Sequence, residues 1–421
     1  MKSETYTKMI QILEAELVPA LGCTEPIAIA YAAAVARKVL GAKPESILAE
    51  CSGNIIKNAK SVIVPMTKDM KGIEAAAVVG MLGGDPERKL EVLTTVREED
   101  LAEAKRLIAG GICKVGLLNT AEKLHIIITM KSGGDSALVE LQKNHTGICR
   151  VEKNGSVIYR EEASEDEGST VDYSVLNVAS ILEFAEQVHI GDVSRILKRQ
   201  IEYNTRIAEE GLRNHYGVNM GTSLLEVYGD DVKTRARAMP AAGSDARMNG
   251  CELPVVINSG SGNQGMTVSL PVLEYGKALG ADEEKIMRAL CLSNLIAVYQ
   301  KSSIGRLSAY CGAVSAAAGA GAGITYLYGG REEEISKTLV NTLANVSGIV
   351  CDGAKSSCAA KIASSVEAAV MASEMARKGR CFEAGDGIVK ETVQKTVDGV
   401  VTLAREGMKE TDEVILGIML S

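Results

Sequence analysis

The chain has 421 residues, which at roughly 100–200 residues per domain leaves room for two or three domains and a sizeable core. With 46% hydrophobic and 24% charged residues it has the composition of a folded globular protein, which excludes a disordered or fibrous chain. A formal net charge of −8, no block of Lys/Arg and a scarcity of stacking aromatics (2 Phe, no Trp) exclude a nucleic-acid partner. With 42 Gly, the core has to be filled by Ala, Val, Ile, Leu and Met, so that helices approach closely over small side chains.

The first twenty residues carry charges throughout and lack the apolar stretch of a secretory signal, and the ten cysteines fit a reducing compartment, so a cytoplasmic protein with free thiols is expected. Residues 5–18 place Met9, Ile10, Ile12, Leu13 and Leu17 at helical spacing, and Val18-Pro19 ends the pattern. Leu21-Gly22-Cys23-Thr24-Glu25-Pro26 then reads as a special turn into an Ala-rich helix ending near Leu40, with Thr24 as N-cap and Cys23 just before the helix.

From Lys89 to Tyr159 the segments LEVLTTV, KLHIIITM, ALVELQ, GICRVEK and SVIYR read as strands, with a helix over Glu98–Ala109 and turns at 131–135 and 153–155. The acidic stretch Glu161 to Thr170 reads as exposed linker. Helical texture dominates from Val175 onward. The uncharged run Leu307–Gly330 is long enough to span a bilayer, but its Ala, Gly and Ser content points to a tightly packed helix in a core, so no membrane partner is expected. The fold class is therefore α+β: a large helical catalytic domain formed by residues 1–88 and 175–421, a small α/β domain inserted at 89–160, and a linker at 161–174. A homo-oligomer is left open.

Three cysteines fall in two Gly/Ala-rich segments, Cys311 in SAYCGAVSAAAGAGAG and Cys351 with Cys358 in VCDGAKSSCAAKI. Thiolates ligate soft metals and iron–sulfur clusters, and small neighbours let backbone N–H groups approach inorganic sulfides. By spacing alone they are either such ligands or small buried hydrophobes, since a Cys-x2-Cys pattern is missing. Cys291 lies in a helical apolar pattern and reads as core, and His145 as a loop histidine bonded to backbone. The run 258–265 (NSGSGNQG) offers backbone donors and the amides of Asn263 and Gln264 to an anion such as a substrate carboxylate, although an ordinary loop has the same signature. CSGNIIKN likewise places two amides, Asn54 and Asn58, and the ammonium of Lys57 close together, as a substrate contact or as a helix cap with a solvated lysine.

Taken in order, LGCTEP, CSGNIIKN, AAGSDARMNG, SGSGNQG, LSAYCGAVSAAAGAGAG and VCDGAKSSCAAKI resemble the L-cysteine desulfidase (UPF0597) family along essentially the whole chain. The segments around Cys311, Cys351 and Cys358 also resemble the α part of iron–sulfur L-serine dehydratases. The resemblance implies a [4Fe–4S] cluster on Cys311, Cys351 and Cys358, a catalytic thiol at Cys23, and a small amino-acid substrate, with Glu25, Asn54, Lys57, Asn263 and Gln264 as candidate contacts. It implies non-redox β-elimination of L-cysteine to hydrogen sulfide, ammonia and pyruvate. L-serine dehydration and a non-catalytic thiol or cluster sensor are the alternatives. A thiol at a helix N-terminus is expected to have a lowered pKa and so to act as base.

Overall fold

The computed structural model describes residues 1–161, 171–305 and 308–420. In chain order, α1 (Ser3–Glu16) leads through the short β1 (Pro19–Leu21) into α2 (Thr24–Leu40), β2 (Ser46–Cys51), α3 (Gly53–Ala59) and α4 (Gly72–Gly83). Helix α5 (Glu98–Ala109) precedes β3 (Cys113–Leu117), β4 (His125–Ser132), β5 (Asp135–Gln142), β6 (Ile148–Lys153) and β7 (Ser156–Arg160). The remainder is helical apart from β8 (Pro254–Val256). It runs α6 (Val178–Gln187), α7 (Ile190–Arg213), α8 (Met220–Tyr228), α9 (Val232–Met248), α10 (Gly262–Ala278), α11 (Glu283–Ile304), α12 (Gly312–Leu327), α13 (Glu332–Val346), α14 (Cys358–Arg377), α15 (Val393–Thr402) and α16 (Lys409–Leu420). The class is α+β with a mostly helical body. Among the described residues no helix is long and apolar enough to cross a membrane.

One sheet has the strand order β3-β2-β4-β5-β6-β7, parallel between β2 and β3 and antiparallel elsewhere. Two differences from the sequence reading stand out. The segment LEVLTTV is not a strand: Asp85 accepts the Glu87 N–H, Pro86 opens the turn, and Pro86–Thr95 forms two short 3-10 segments across a kink at Lys89 and Glu91, with Val92 and Leu93 buried. Ser46–Cys51, read as part of the helical body, is instead a strand inside the sheet, its Ile47, Ala49 and Cys51 buried on alternate positions. Helices α2 and α4 share one apolar core with this sheet, in which Ile27, Ala30 and Val78 meet Ile126, Ile128 and Val139. The stretch read as linker lies, beyond Glu161, outside the described residues until Val171.

The other core belongs to the helices after 175, joined by Met9, Ile12, Leu13 and Leu17 of α1 and its exit. Helix α12 is the uncharged run of the sequence and is buried along nearly its whole length. Its small residues permit close helix contact: a Cβ on Gly319 would lie 2.5 Å from the Ser293 carbonyl oxygen of α11.

Candidate active site

Three pairings build the site. Strand β1 pairs antiparallel with β8, Leu21 opposite Pro254 and the Ile257 N–H donating to the Val18 carbonyl, and Arg247 then links the Gly22-Cys23-Thr24 turn to the first turn of α10. Helix α10 starts at Gly262, so Asn263 and Gln264 stand in its first turn. The second pairing is a bridge between Tyr310 and Val350, in which Cys311 N–H donates to the Ile349 carbonyl at 3.1 Å and Cys351 N–H to that of Ala309 at 2.6 Å. It holds two cysteine segments side by side across some forty residues of chain. The third is a tight approach of Gly353, at φ +97°, to α3, where a Cβ would lie 2.1 Å from the Lys57 carbonyl oxygen. Only glycine satisfies both that conformation and that contact.

These pairings enclose a cavity of about 110 Å³. Cys23, Glu25, Asn263, Gln264, Cys311, Cys351 and Cys358 all line it. Cys311 is the N-cap of α12 and Cys358 the first residue of α14. Asn54 and Lys57 do not line it. Asn54 borders a separate cavity near α16, and Lys57 Nζ is turned to the Cys351 carbonyl at 3.1 Å and to an ion pair with Asp412. A lysine read as solvated or substrate-facing is thus a buried strut behind a cysteine segment, because Asp412 of α16 meets it there.

Cys23 itself is the N-cap of α2, in place of Thr24, and Gly22 before it has φ +60°. The activated thiolate expected at this position is contradicted. Burial, then the Glu25 carboxylate, pushes the Cys23 thiol well above the ordinary range, with Arg247 opposing, and Cys23 Sγ donates to Glu25 Oε2 at 3.1 Å. A helix N-terminus favours a thiolate, but a carboxylate in contact with the sulfur outweighs it. Cys311 is pushed to about 12 by burial and then by Cys351, and burial also raises Cys358.

Of the CSGNIIKN segment it is Asn58, one residue past Lys57 on α3, that lines the cavity. Sequence reasoning missed two lining groups. Arg247, 4% exposed on α9, donates from Nε to the Gly22 carbonyl at 2.8 Å and from Nη1 to Asn263 Oδ1 at 3.2 Å, so it ties the first turn to the second. Its signal was present in AAGSDARMNG, a segment to which no role was attached. Lys301, on α11, is 4% exposed, and burial lowers its ammonium to about 8 despite the opposing pull of Cys351 and Cys311. His145, from the turn between β5 and β6, also reaches the cavity wall.

The donor set fits the cluster implied by the family resemblance. Three thiols share one cavity, two of them at helix N-termini, and a cluster on three thiolates is anionic. Cationic groups back the same segment: Lys361 Nζ donates to the Val350 carbonyl at 2.8 Å and Lys355 Nζ to that of Asp352 at 2.8 Å, beside Lys57 on Cys351. Among the described residues, no three His, Cys, Asp or Glu side chains converge closely enough for a single metal ion.

Comparison with known proteins gives the family. The model of the serine dehydratase alpha chain matches residues 75–417. A UPF0597 protein of Lachnoclostridium phytofermentans is 72% identical over 416 residues, covering 99% of this chain and 100% of the relative. UPF0597 proteins of Treponema denticola and Desulfitobacterium hafniense are 51% and 50% identical, over 99% of this chain and 98% and 97% of theirs. The chain belongs to the UPF0597 family and carries the serine dehydratase alpha-chain pattern over most of its length.

Proposed function

We propose that the chain is an L-cysteine desulfidase, eliminating the β-thiol of L-cysteine to give hydrogen sulfide, ammonia and pyruvate. The observation that carries this reading is the meeting of the Cys23–Glu25 pair with Cys311, Cys351 and Cys358 in one cavity. The three cysteines would hold a [4Fe–4S] cluster, which when bound supplies a Lewis acid for the departing sulfur. The rest falls to the protein. Arg247 is fixed by Gly22 and Asn263, and among the described residues its remaining N–H groups have no partner, which suits a substrate carboxylate. Glu25 Oε2 accepts the Sγ proton of Cys23, leaving the sulfur able to take the Cα proton of a substrate held against it. The pair thus acts as one base, and the proton count balances without an oxidant or reductant. Loss of the Cα proton and of the β-sulfur leaves aminoacrylate, which tautomerises and takes up water to release ammonia and pyruvate.

L-serine dehydration is the second reading, favoured by the alpha-chain match. That match begins at residue 75, so it includes the three thiols and leaves out Cys23 and Glu25. A base outside the shared stretch favours a distinct reaction, and sulfur is the softer ligand and better leaving group. The test is anaerobic reconstitution with iron and sulfide, followed by pyruvate and sulfide release from L-cysteine and pyruvate from L-serine. We expect kcat/KM for L-cysteine to be greater by at least about tenfold, or roughly 1.4 kcal/mol. Equal or better use of serine replaces the first reading with the second. Failure of both in cluster-loaded protein leaves the sensor.

A further inference from the structure

Lys301 belongs to the walls of two cavities. On one side is the thiol cavity, and on the other a larger one of about 580 Å³, into which Lys123, Lys143 and Arg405 also project against the carboxylates of Glu16 and Glu122. Four cations face two anions there, although the chain as a whole carries a net charge of −8. The Glu16 carboxylate is engaged, with Oε1 accepting from the Tyr173 hydroxyl at 2.5 Å. Among the described residues Lys301 makes no hydrogen bond or ion pair through its ammonium, yet the side chain is 4% exposed. A charge taken out of water without a counter-charge is strongly unfavourable unless a ligand supplies one.

We propose that Lys301 is the shared anchor of a small-monocarboxylate site spanning these two cavities, the larger one serving as the basic vestibule through which such anions reach and leave the thiol cavity. The identification of the carboxylates with an arriving amino acid and a departing 2-oxo acid rests on the function proposed above. The site itself rests on the placement of Lys301. The geometry separates two tasks: Arg247, tied down by Gly22 and Asn263, orients a carboxylate inside the thiol cavity, whereas Lys301 stands at the junction. Clustered charge of one sign in a recess raises the local concentration of its counter-ion, an effect that salt screens.

The test is calorimetric titration of the full chain with pyruvate and, separately, with L-alanine, which has no β-leaving group. Lys301→Met should weaken binding of pyruvate, of L-alanine, or of both by at least tenfold, while Lys301→Arg retains most of it. Methionine replaces an unpaired buried ammonium with an apolar chain of similar length, so the variant should melt no lower than the parent. Lys143→Glu at the rim is an independent check, expected to weaken binding about threefold at low salt and little in high salt. A loss confined to pyruvate marks the vestibule as an exit, and one confined to L-alanine as a way in. Unchanged affinity for both in Lys301→Met, or an equal loss in Lys301→Arg and Lys301→Met, overturns the proposal. Pyruvate formation from L-cysteine, assayed on the same preparation, separates the two claims. Weakened carboxylate binding without turnover keeps the site and removes the function, and turnover with unchanged binding does the reverse.

Discussion

Cys23 and Glu25 are two residues apart in sequence, on the first turn of a helix, and share a proton at 3.1 Å. If they act as one base, removing either partner should remove the whole contribution. Cys23→Ser and Glu25→Gln are each expected to lower kcat by about 10²–10⁴, the ordinary span of a general base, and the double variant should be no worse than the poorer single one. Independent roles would multiply the losses, so a double variant whose loss equals the product of the single losses sinks the pair. Iron content should stay level in all three. What could be read from the sequence at this scale was whatever a local motif announces: cysteines among glycines, an amide run at a helix start, a thiol in a turn. Arg247 and Lys301 sit within long helices, where an isolated cation has the same local signature whether it faces solvent or a cavity. Lys57 failed for the opposite reason, its ammonium being committed to a residue of α16 far along the chain that no local pattern reveals.

Helix α9 shows how one element divides its labour. Two residues before Arg247, Asp245 is turned to α8: its Oδ2 accepts the Met220 N–H at 2.6 Å, with the Val218 and Gly221 N–H groups also directed at it. Burial raises its carboxyl to about 6 from an ordinary 3.8, and the backbone donors only partly offset this. The folded protein therefore binds a proton more tightly than the unfolded chain does, and stability contributed by this group falls as pH rises from about 4 through 6. Between pH 5 and pH 7 the loss is about 1 kcal/mol. Asp245→Asn removes the titration and keeps an oxygen for the backbone donors, so its stability relative to the parent should improve by about that amount over the same interval. Urea unfolding at pH 5, 6 and 7 checks this, and a constant difference between the two proteins contradicts it. Most elements were legible because their periodicity is strong, with α5 found at its observed bounds and β4 to β7 close to theirs. LEVLTTV has strand composition but is governed by the Asp85-Pro86 start before it. Ser46–Cys51 alternates over only six residues, too briefly to stand out between helices.

At the scale of the molecule, the cavity lies where two apolar cores adjoin. Its wall takes Asn58 and His145 from elements around the sheet-centred core, and Lys301, Cys311 and Ile362 from the helical one. Nothing in a linear motif states that seam, although the order of motifs along the whole chain was legible. The C-terminal helix α16 reaches it through Asp412, whose partner Lys57 is 1% exposed and also holds the Cys351 carbonyl. Lys60 Nζ donates to the Met419 carbonyl on the same helix face. Residues more than three hundred positions apart thereby fix one cysteine segment. Removing one partner leaves a buried charge uncompensated, whereas replacing both with apolar groups does not. Asp412→Ala should therefore lower stability by about 3 kcal/mol, near the low end for a buried pair because Asp412 keeps 17% of its side-chain exposure. Lys57→Met with Asp412→Leu should recover much of that loss. The two variants separate stability from positioning. Both lose the ammonium contact or its restraint on Cys351, so hydrogen exchange at 350–353 should quicken in both, even in the double variant whose overall stability is restored. Exchange that follows global stability alone, quick in the single variant and normal in the double, would show that the α16 tie does not position the Cys351 segment.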